Sequence, residues 1–207
     1  MIAIMSLVIP AIVLAAGKST RMGRAKANLP LDDRDTFLTR IVRTFREADV
    51  EDVVVVVGHE ADAIVEVFER SHLEARFVRN PVYETGQLSS LLAGLAVVDR
   101  PGVVAALVTL VDVPLVASAT VRAVVNRYLH THAPFVRPVH GEQHGHPMLV
   151  DRSLFDLIRH ADPAAGAKPI VRAHVSPAGD VEVEDEGAFL DIDTAEEYQR
   201  RLGRPID

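Results

Sequence analysis

Four basic side chains are crowded into a short segment near the start of the chain, in a protein whose net charge is −7. Residues 18–26 contain no acid and hold Lys18, Arg21, Arg24 and Lys26. Gly17 and Gly23 bracket a turn there, and its backbone amides are suited to form an anion-binding nest. With Arg21 and Lys26 supplying charge, the pattern favours a small polyphosphate over a polymer. An ordinary solvated loop is the alternative.

The letters GKST at residues 17–20 do not belong to a Walker A phosphate-binding loop. Such a loop needs a glycine at the position that Ile12 occupies here, because the chain must approach the phosphates with no side chain in between. Ile12 instead lies inside an apolar run. The sequence therefore predicts another way of holding a nucleotide.

An acidic residue stands where a buried strand is expected to end. Asp112 follows the apolar run at residues 103–111. A nucleoside triphosphate arrives with magnesium, which needs hard oxygen ligands, and a carboxylate in this place supplies one. A strand-end aspartate is also common as a turn residue or helix cap.

The elements that must position these residues alternate between strands and helices. Apolar runs rich in valine and isoleucine lie at residues 9–15, 53–57, 103–111 and 135–139. Segments with helical periodicity separate them. This alternation predicts an α/β fold with a mainly parallel sheet and helices on both faces. Since ligands of such sheets bind at the carboxyl ends of the strands, the residues just after each run are the candidates for a site.

Helices are predicted from apolar spacing and from capping residues. One helical face holds Phe37, Ile41, Phe45 and Ala48, and a second holds Ile64, Val67 and Phe68. Further helices are predicted at 88–98, at 118–131 behind Ser118 as N-cap, and at 153–159. The last begins at Thr194, which forms a capping box with Glu197.

Length and composition limit the classes of protein. With 207 residues, 48% of them hydrophobic, the chain is expected to form one domain over residues 1–207. The absence of cysteine excludes disulfides and thiolate metal sites. The apolar start has no positively charged region before it and is too short to span a bilayer, so we expect neither a signal peptide nor a membrane partner, and a cytoplasmic protein. The acidic balance argues against nucleic acid as a partner.

Three histidines, His140, His144 and His146, raise the hypothesis of a zinc site, since closely spaced imidazoles can converge on a metal. They lie in the stretch HGEQHGHP at residues 140–147, which is typical of an exposed hairpin connection. Exposed polar residues are expected there, which disfavours zinc. His146 stays a candidate contact for an acceptor substrate.

Taken together, these segments resemble the MobA-like NTP transferases, which include the molybdenum cofactor guanylyl- and cytidylyltransferases. LAAGKSTRMGRAK at 14–26 is similar to the signature loop of the family, and NPVYETGQLSSLLAGL at 80–95 to its second segment. DVP at 112–114 resembles its metal-binding turn, and GHP at 145–147 a substrate-side motif. GAK at 166–168 and DIDTAEEY at 191–198 complete the series in the order of the family.

The resemblance implies a Rossmann-like three-layer sandwich of the nucleotidyltransferase, GT-A-like type. It implies that an acceptor phosphate attacks the α-phosphorus of an NTP and that pyrophosphate leaves, with catalysis by positioning and charge neutralisation. The implied catalytic residues are Arg21, Lys26 and Asp112. The implied nucleotide-binding residues are Leu14, Ala15, Ala16, Gly17, Ser19, Arg21, Lys26, Asn80, Gly86 and Ser90. The implied acceptor contacts are His146, Lys168 and Asp191, and the implied ligands of Mg²⁺ are Asp112 and Asp193.

Among the members of the family, the sequence is most similar to the cytidylyltransferases. Guanylyl-transferring members tend to have glycine where this chain has Ala16, and a methyl group fills space that a pyrimidine leaves. The implied partners are CTP, a phosphorylated acceptor of the molybdopterin type, and transiently a molybdoenzyme or its chaperone. A sugar-phosphate or polyol-phosphate acceptor and a non-catalytic nucleotide-binding module are the alternatives.

Three positions leave specific questions open. Val111 stands where many members have a small residue, and Lys168 where arginine is common, and lysine cannot form a bidentate fork on a phosphate. The alternation around Ile192 predicts a strand that sends Asp191 and Asp193 to one face. The alternative for this pair is a helix start favoured by the helix dipole.

Overall fold

The computed structural model describes residues 7–204, so that residues 1–6 of the apolar N-terminal segment lie outside the described part. The described chain forms eight strands and seven α-helices, together with four short 3-10 helices. The strands are β1 (Ala11–Ala15), β2 (Val53–Val57), β3 (Arg76–Arg79), β4 (Ala105–Leu110), β5 (Phe135–His140), β6 (Gln143–His144), β7 (Met148–Asp151) and β8 (Asp180–Glu182). The helices are α1 (Phe37–Glu47), α2 (Ala61–Glu69), α3 (Gln87–Val98), α4 (Ser118–Thr131), α5 (Phe155–Arg159), α6 (Lys168–His174) and α7 (Ala195–Leu202). Each helix in the described range is too short or too polar to cross a bilayer.

The strands form one sheet in the order β3-β2-β1-β4-β7-β5-β6, with β8 paired to β5. Parallel pairing joins β3, β2, β1 and β4, while β7 runs antiparallel between β4 and β5. The predicted α/β fold with a mostly parallel central sheet is confirmed.

Two apolar layers cover the sheet. Alternate residues of β1 face opposite ways: Ala11, Val13 and Ala15 join α1, α2 and α4 in one cluster, whereas Ile12 and Leu14 join α3 and α5 in the other. The five valines of β2 are all buried, as expected for a central parallel strand covered on both faces. The sheet between two helix layers is the predicted three-layer sandwich.

The strand order reverses next to β1. The chain passes from β1 through β2 to β3 at one edge, and then returns by α3 to place β4 on the other side of β1. In α/β sheets such a reversal opens a crevice at the carboxyl ends of the two strands, and ligands bind there. The loops that follow β1 and β4 therefore border the candidate site.

Most predicted helices agree with the structure, including the capping box of Thr194 and Glu197 at the start of α7. The assignment of Ser118 as an N-cap is wrong, because Ser118 is the first residue of α4 and Ala117 precedes it as the cap. The Asp185 carboxylate accepts hydrogen bonds from Ala117 N at 2.8 Å and from Thr120 Oγ1 at 2.6 Å. A distant side chain thus anchors this helix start.

A third apolar cluster joins the loop after β1 to the C-terminal segment. Its members are Met22, Leu29, Leu31, Phe37, Ile192 and Tyr198. The rings of Phe37 and Tyr198 lie 5.9 Å apart, and the Tyr198 hydroxyl donates to the carbonyl of Pro30 at 2.6 Å. We call this group the clamp cluster.

A buried ion pair holds the end of the same loop against α1. Asp35 is 2% exposed and accepts a hydrogen bond from Arg43 Nη2 at 2.9 Å. Burial alone would raise the pKa of Asp35, but the hydrogen bond and the charge of Arg43 outweigh it and hold the pKa below its ordinary value. The loop is therefore fixed at both ends, by β1 and by this pair.

Candidate active site

The loop after β1 is shaped by two residues with positive φ. Ser19 has φ of 50° and Gly23 of 73°, and Met22 N donates to the carbonyl of Ser19 at 2.8 Å. The Ser19 hydroxyl accepts from Lys26 N at 3.2 Å, which folds the basic segment back on itself. A Cβ at Gly17 would contact nothing within 4 Å, so the space in front of this backbone is open.

The loop borders a cleft of about 340 Å³ at the carboxyl ends of β1 and β4. The residues that line it are Leu14, Ala16, Gly17, Ser19, Thr20, Arg21, Lys26, Tyr83, Gly86, Gln87, Ser90, Leu110, Val111, Asp112 and Asp193. Eight of the ten residues that the resemblance assigns to the nucleotide are among them. The structure therefore brings together side chains that lie far apart in the sequence.

Four ionised side chains meet in this cleft, and we call them the charged cluster: Arg21, Lys26, Asp112 and Asp193. Lys26 Nζ donates to Asp112 Oδ2 at 3.0 Å and also to Asp193 Oδ1. Arg21 Nη2 donates to Asp193 Oδ2 at 2.8 Å. The side chain of Lys26 is only 9% exposed, whereas that of Arg21 is 66% exposed. Because burial strengthens charge interactions, Lys26 dominates the electrostatics of the cluster.

Backbone hydrogen bonds bring the two carboxylates together. Asp112 lies in the turn that follows β4, and its carbonyl accepts from Ile192 N at 2.8 Å. This bond places Asp193 next to Asp112 although no strand includes residues 190–193 in the described chain. The predicted strand around Ile192 is therefore wrong: Asp193 faces the cleft and Asp191 is exposed.

The carboxylate of Asp193 contacts the basic loop, although the residue directly precedes the N-cap of α7. The Thr194 side chain caps α7, while the carboxylate of Asp193 binds Lys26 and Arg21. The hydrogen bond from Lys26, together with the charges of Lys26 and Arg21, lowers the pKa of Asp193 against the opposing effect of burial. The group is therefore a carboxylate at neutral pH.

One oxygen of the cluster fits a divalent cation. Asp112 Oδ1 is buried and accepts no hydrogen bond from the described residues, and a buried oxygen without a partner is costly. Within residues 7–204 no three His, Asp or Glu side chains are grouped to hold a metal. Mg²⁺ in nucleotide sites uses one or two carboxylates and completes its shell with phosphate oxygens and water, which matches Asp112 and Asp193.

The opposite wall of the cleft is formed by the segment after β3. Asn80 is buried behind this wall, where its Nδ2 donates to the hydroxyls of Ser89 at 2.8 Å and Ser90 at 3.0 Å. Asn80 therefore supports the wall and does not line it. Tyr83 lines the cleft and packs so close to Gly58 that a Cβ there would lie 2.6 Å from its ring. Sequence reasoning did not single out Tyr83 or Gln87.

A second cavity of about 890 Å³ continues from the cleft. Both are lined by Leu14, Gly86, Gln87 and Leu110. The second cavity adds apolar residues of α3 and α6 and five polar or basic side chains: Arg137, His144, His146, Lys168 and Arg172. Two of the three predicted acceptor contacts, His146 and Lys168, lie here.

His146 is held in place by its neighbours. Its Nδ1 lies 3.4 Å from the carbonyl of Val108, and its backbone N donates to the carbonyl of Ala188 at 2.8 Å. Burial lowers the pKa of His146, so the imidazole is neutral at neutral pH. Gly145 is required for this approach, since a Cβ there would lie 2.4 Å from Ala188 O. Of the other two histidines, His140 pairs with Glu182, so the three rings do not converge.

Besides Asn80, two predicted residues line neither cavity. Ala15 turns to the other face of the sheet and is buried in the cluster with α1 and α2, because side chains alternate along β1. Asp191 is exposed, although its charge acts on His146. Their predicted roles in binding nucleotide and acceptor therefore have no support from side-chain contact with a cavity.

The fold is of the nucleotidyltransferase type. The chain belongs to the MobA-like NTP transferase domain family, whose profile matches residues 11–178. It is 31% identical over 205 residues to the nicotine blue oxidoreductase of Paenarthrobacter nicotinovorans, covering 92% of this chain and 95% of that protein. It is also 31% identical over 140 residues to a probable molybdenum cofactor guanylyltransferase of Mycobacterium avium (strain 104), with 67% of each covered.

The fold is also similar to that of a solved protein, Rv0371c from Mycobacterium tuberculosis H37Rv. The TM-score is 0.80 at 27% identity, covering 96% of this chain and 99% of the other. A structure of Rv0371c in complex with manganese gives a TM-score of 0.76 at 25% identity, covering 96% and 100%. A neighbour of this fold thus binds a divalent metal.

Proposed function

We propose that the protein transfers a cytidylyl group from CTP to the phosphate of a molybdopterin-type acceptor and releases pyrophosphate. One observation carries the proposal: the cleft with the charged cluster continues into a larger cavity lined by basic side chains. A triphosphate in the first and an acceptor phosphate in the second would meet at the four residues that line both. In this proposal one domain, residues 1–207, holds both substrates.

Each part of the cleft has a task in this reaction. The amides of the loop, with Arg21 and Lys26, would hold the triphosphate, and Asp112 and Asp193 would hold Mg²⁺. Mg²⁺, when bound, neutralises charge on the reacting phosphates. An acceptor phosphate is ionised near neutral pH, so its oxygen forms the new bond to the α-phosphorus while the bond to pyrophosphate breaks. No general base is needed, and positioning with charge neutralisation supplies the catalysis.

The second cavity suits an acceptor with an apolar ring system and a phosphate. Its apolar walls come from residues such as Leu88 and Leu91, and Lys168 and His146 would contact the acceptor. Lys168 offers a point charge to a phosphate and not a bidentate fork. Asp191 would act on the acceptor side indirectly, because its negative charge interacts with His146. We also propose that the protein is cytoplasmic and that it transiently contacts a molybdoenzyme or its chaperone.

The test is release of pyrophosphate by the purified protein with a panel of NTPs and phosphorylated acceptors. We expect release with CTP, Mg²⁺ and molybdopterin together. Release only with a sugar phosphate or polyol phosphate would change the assigned acceptor but would still support nucleotidyl transfer. Binding of CTP with Mg²⁺ but no release with any acceptor would identify a non-catalytic nucleotide-binding module.

Ala16 supports the choice of CTP. It is 3% exposed and lines the cleft, so its methyl group takes up space where a base would bind. One methyl group changes a preference by about 10–200-fold. We expect calorimetric titration with Mg²⁺ to show CTP bound more tightly than GTP, and Ala16→Gly to narrow the ratio without reversing it. Tighter binding of GTP by the wild type would contradict the cytidylyl assignment and leave nucleotidyl transfer standing.

An oxidoreductase activity is a second candidate, because the relative that matches nearly the whole chain is named nicotine blue oxidoreductase. In that case the second cavity would hold the compound that is oxidised or reduced. The test is the absorbance of nicotine blue in the presence of the purified protein and a nicotinamide dinucleotide, added as a trial electron donor or acceptor. A change in that absorbance without any release of pyrophosphate from CTP would favour the oxidoreductase.

A further inference from the structure

The ammonium of Lys26 binds the same two carboxylates that are proposed to hold the metal. Lys26 Nζ lies 3.0 Å from Asp112 Oδ2 and also binds Asp193 Oδ1, whereas Asp112 Oδ1 has no partner among the described residues. A divalent cation on these carboxylates would lie close to the ammonium, and two cations this close repel each other. We propose that Lys26 competes with the divalent metal for these carboxylates and that the phosphates of the nucleotide draw Lys26 away. This inference rests on the proposed nucleotidyl transfer.

The charge balance of the cluster gives the competition its direction. Arg21 and Lys26 carry two positive charges, and Asp112 and Asp193 carry two negative ones, so the cluster is neutral as it stands. A site without net charge attracts a divalent cation only weakly. Once Lys26 binds a phosphate, the carboxylate oxygens that it contacted are released and the remaining cluster has a net negative charge, to which the triphosphate adds. Metal and nucleotide therefore bind cooperatively, each raising the affinity for the other by the same factor.

Lys26 is placed to reach either partner without a change in the backbone. Its N is fixed by the Ser19 hydroxyl at 3.2 Å, within the loop proposed to hold the triphosphate. Its flexible four-carbon stem carries Nζ, and both Lys26 and the loop line the one cleft. Rotation of the side chain is thus enough to move the ammonium from carboxylate to phosphate.

The neighbouring basic residues differ from Lys26 in ways that supply a control. Arg21 contacts Asp193 alone and is 66% exposed, so water screens its charge. Lys18 is 48% exposed and pairs with Glu84, outside the charged cluster. Replacing Lys18 therefore removes one positive charge from the same loop without touching the carboxylates.

Binding of Mn²⁺, followed by the electron paramagnetic resonance of the free ion, tests the inference without turnover. The full chain is titrated with and without α,β-methylene-CTP. We expect the wild type to bind Mn²⁺ weakly alone and tightly with the nucleotide. Lys26→Met and Lys26→Gln should bind Mn²⁺ alone at least ~10-fold more tightly than the wild type, since a buried charge near the ion is removed. Lys18→Met should match the wild type.

Several results would overturn the inference. One is unchanged or weaker Mn²⁺ binding by folded Lys26→Gln or Lys26→Met, and another is wild-type binding that is equally tight with and without nucleotide. The second needs no variant, so the test stands even if both variants fail to fold. Asp112→Asn must lose the Mn²⁺ site; if it does not, the ion binds elsewhere. If Mn²⁺ binds as expected in the wild type and the variants but no pyrophosphate is released, the proposed transfer is refuted while the competition between Lys26 and the metal stays supported.

Discussion

Replacing Asp112 by asparagine changes one charge in the cleft and almost nothing in shape. Asp112 Oδ2 accepts from Lys26, and Oδ1 is the buried oxygen without a partner in the described chain. The amide oxygen of asparagine would keep the bond to Lys26, but the site would lose the negative charge that attracts a divalent cation. We therefore expect the fold to persist and the chemistry to fail.

The expected loss is at least ~100-fold in kcat, comparable to removal of one electrostatic contact from a preorganised site. This factor corresponds to about 2.7 kcal/mol in the barrier, at about 1.36 kcal/mol for each tenfold change. The dependence on Mg²⁺ should also move to higher concentration, because one of two carboxylate ligands is neutral.

The assay is steady-state release of pyrophosphate at several Mg²⁺ concentrations, with thermal denaturation of the same samples. Asp156→Asn is the matched control, because Asp156 is an exposed carboxylate of α5 that lines neither cavity. It should retain wild-type turnover. Wild-type turnover and Mg²⁺ dependence in Asp112→Asn would remove Asp112 from the mechanism and refute the reasoning.

Two further predictions concern the loop after β1. Lys26→Ala and Arg21→Ala should each raise the barrier to transfer by roughly 2–4 kcal/mol if their charges are desolvated in the transition state, and Lys18→Ala should raise it far less. Equal effects of the three variants in one steady-state assay would show that the loop is a diffuse positive patch. Asp35→Asn should lower the free energy of unfolding by about 3 kcal/mol near neutral pH, because it leaves the guanidinium of Arg43, whose side chain is only 19% exposed, without its charged partner. Since folding lowers the pKa of Asp35, the ion pair stabilises the protein fully above the unfolded pKa of 3.8, and this stabilisation is lost as pH falls through the pKa of the folded state. If the difference in free energy of unfolding between the wild type and Asp35→Asn does not shrink in acid, this prediction is wrong.

The sequence predicts the core of the sheet well and its edges poorly. The run of valines at residues 53–57 coincides with β2, because a strand buried on both faces must be apolar throughout. β3 was not predicted, since its sequence RFVR is short and half exposed at the sheet edge. α6 was missed for a related reason: none of its residues is fully buried, so it has no strong apolar face.

The candidate site was predictable where it follows from strand ends and not where it depends on long-range contact. The basic loop and Asp112 were found because they follow buried strands. The pairing of Lys26 with Asp193 joins residues 167 positions apart, and no local pattern indicates it. Tyr83 was missed because its place in the cleft comes from close packing on Gly58.

The clamp cluster has a consequence for how the protein opens and closes. Tyr198 of α7 packs in one apolar cluster with Leu29 and Leu31 of the loop after β1, and its hydroxyl donates to Pro30 O, so we expect the loop and α7 to loosen together. Local unfolding of α7 would disorder the loop and at the same time separate Asp193 from Lys26, while the hydrogen bonds of the sheet stay intact. In amide hydrogen exchange the two segments should thus behave as one unit, with protection well below that of β1 and β4. By this linkage, a molecule that binds the outer face of α7 would also stabilise the loop after β1.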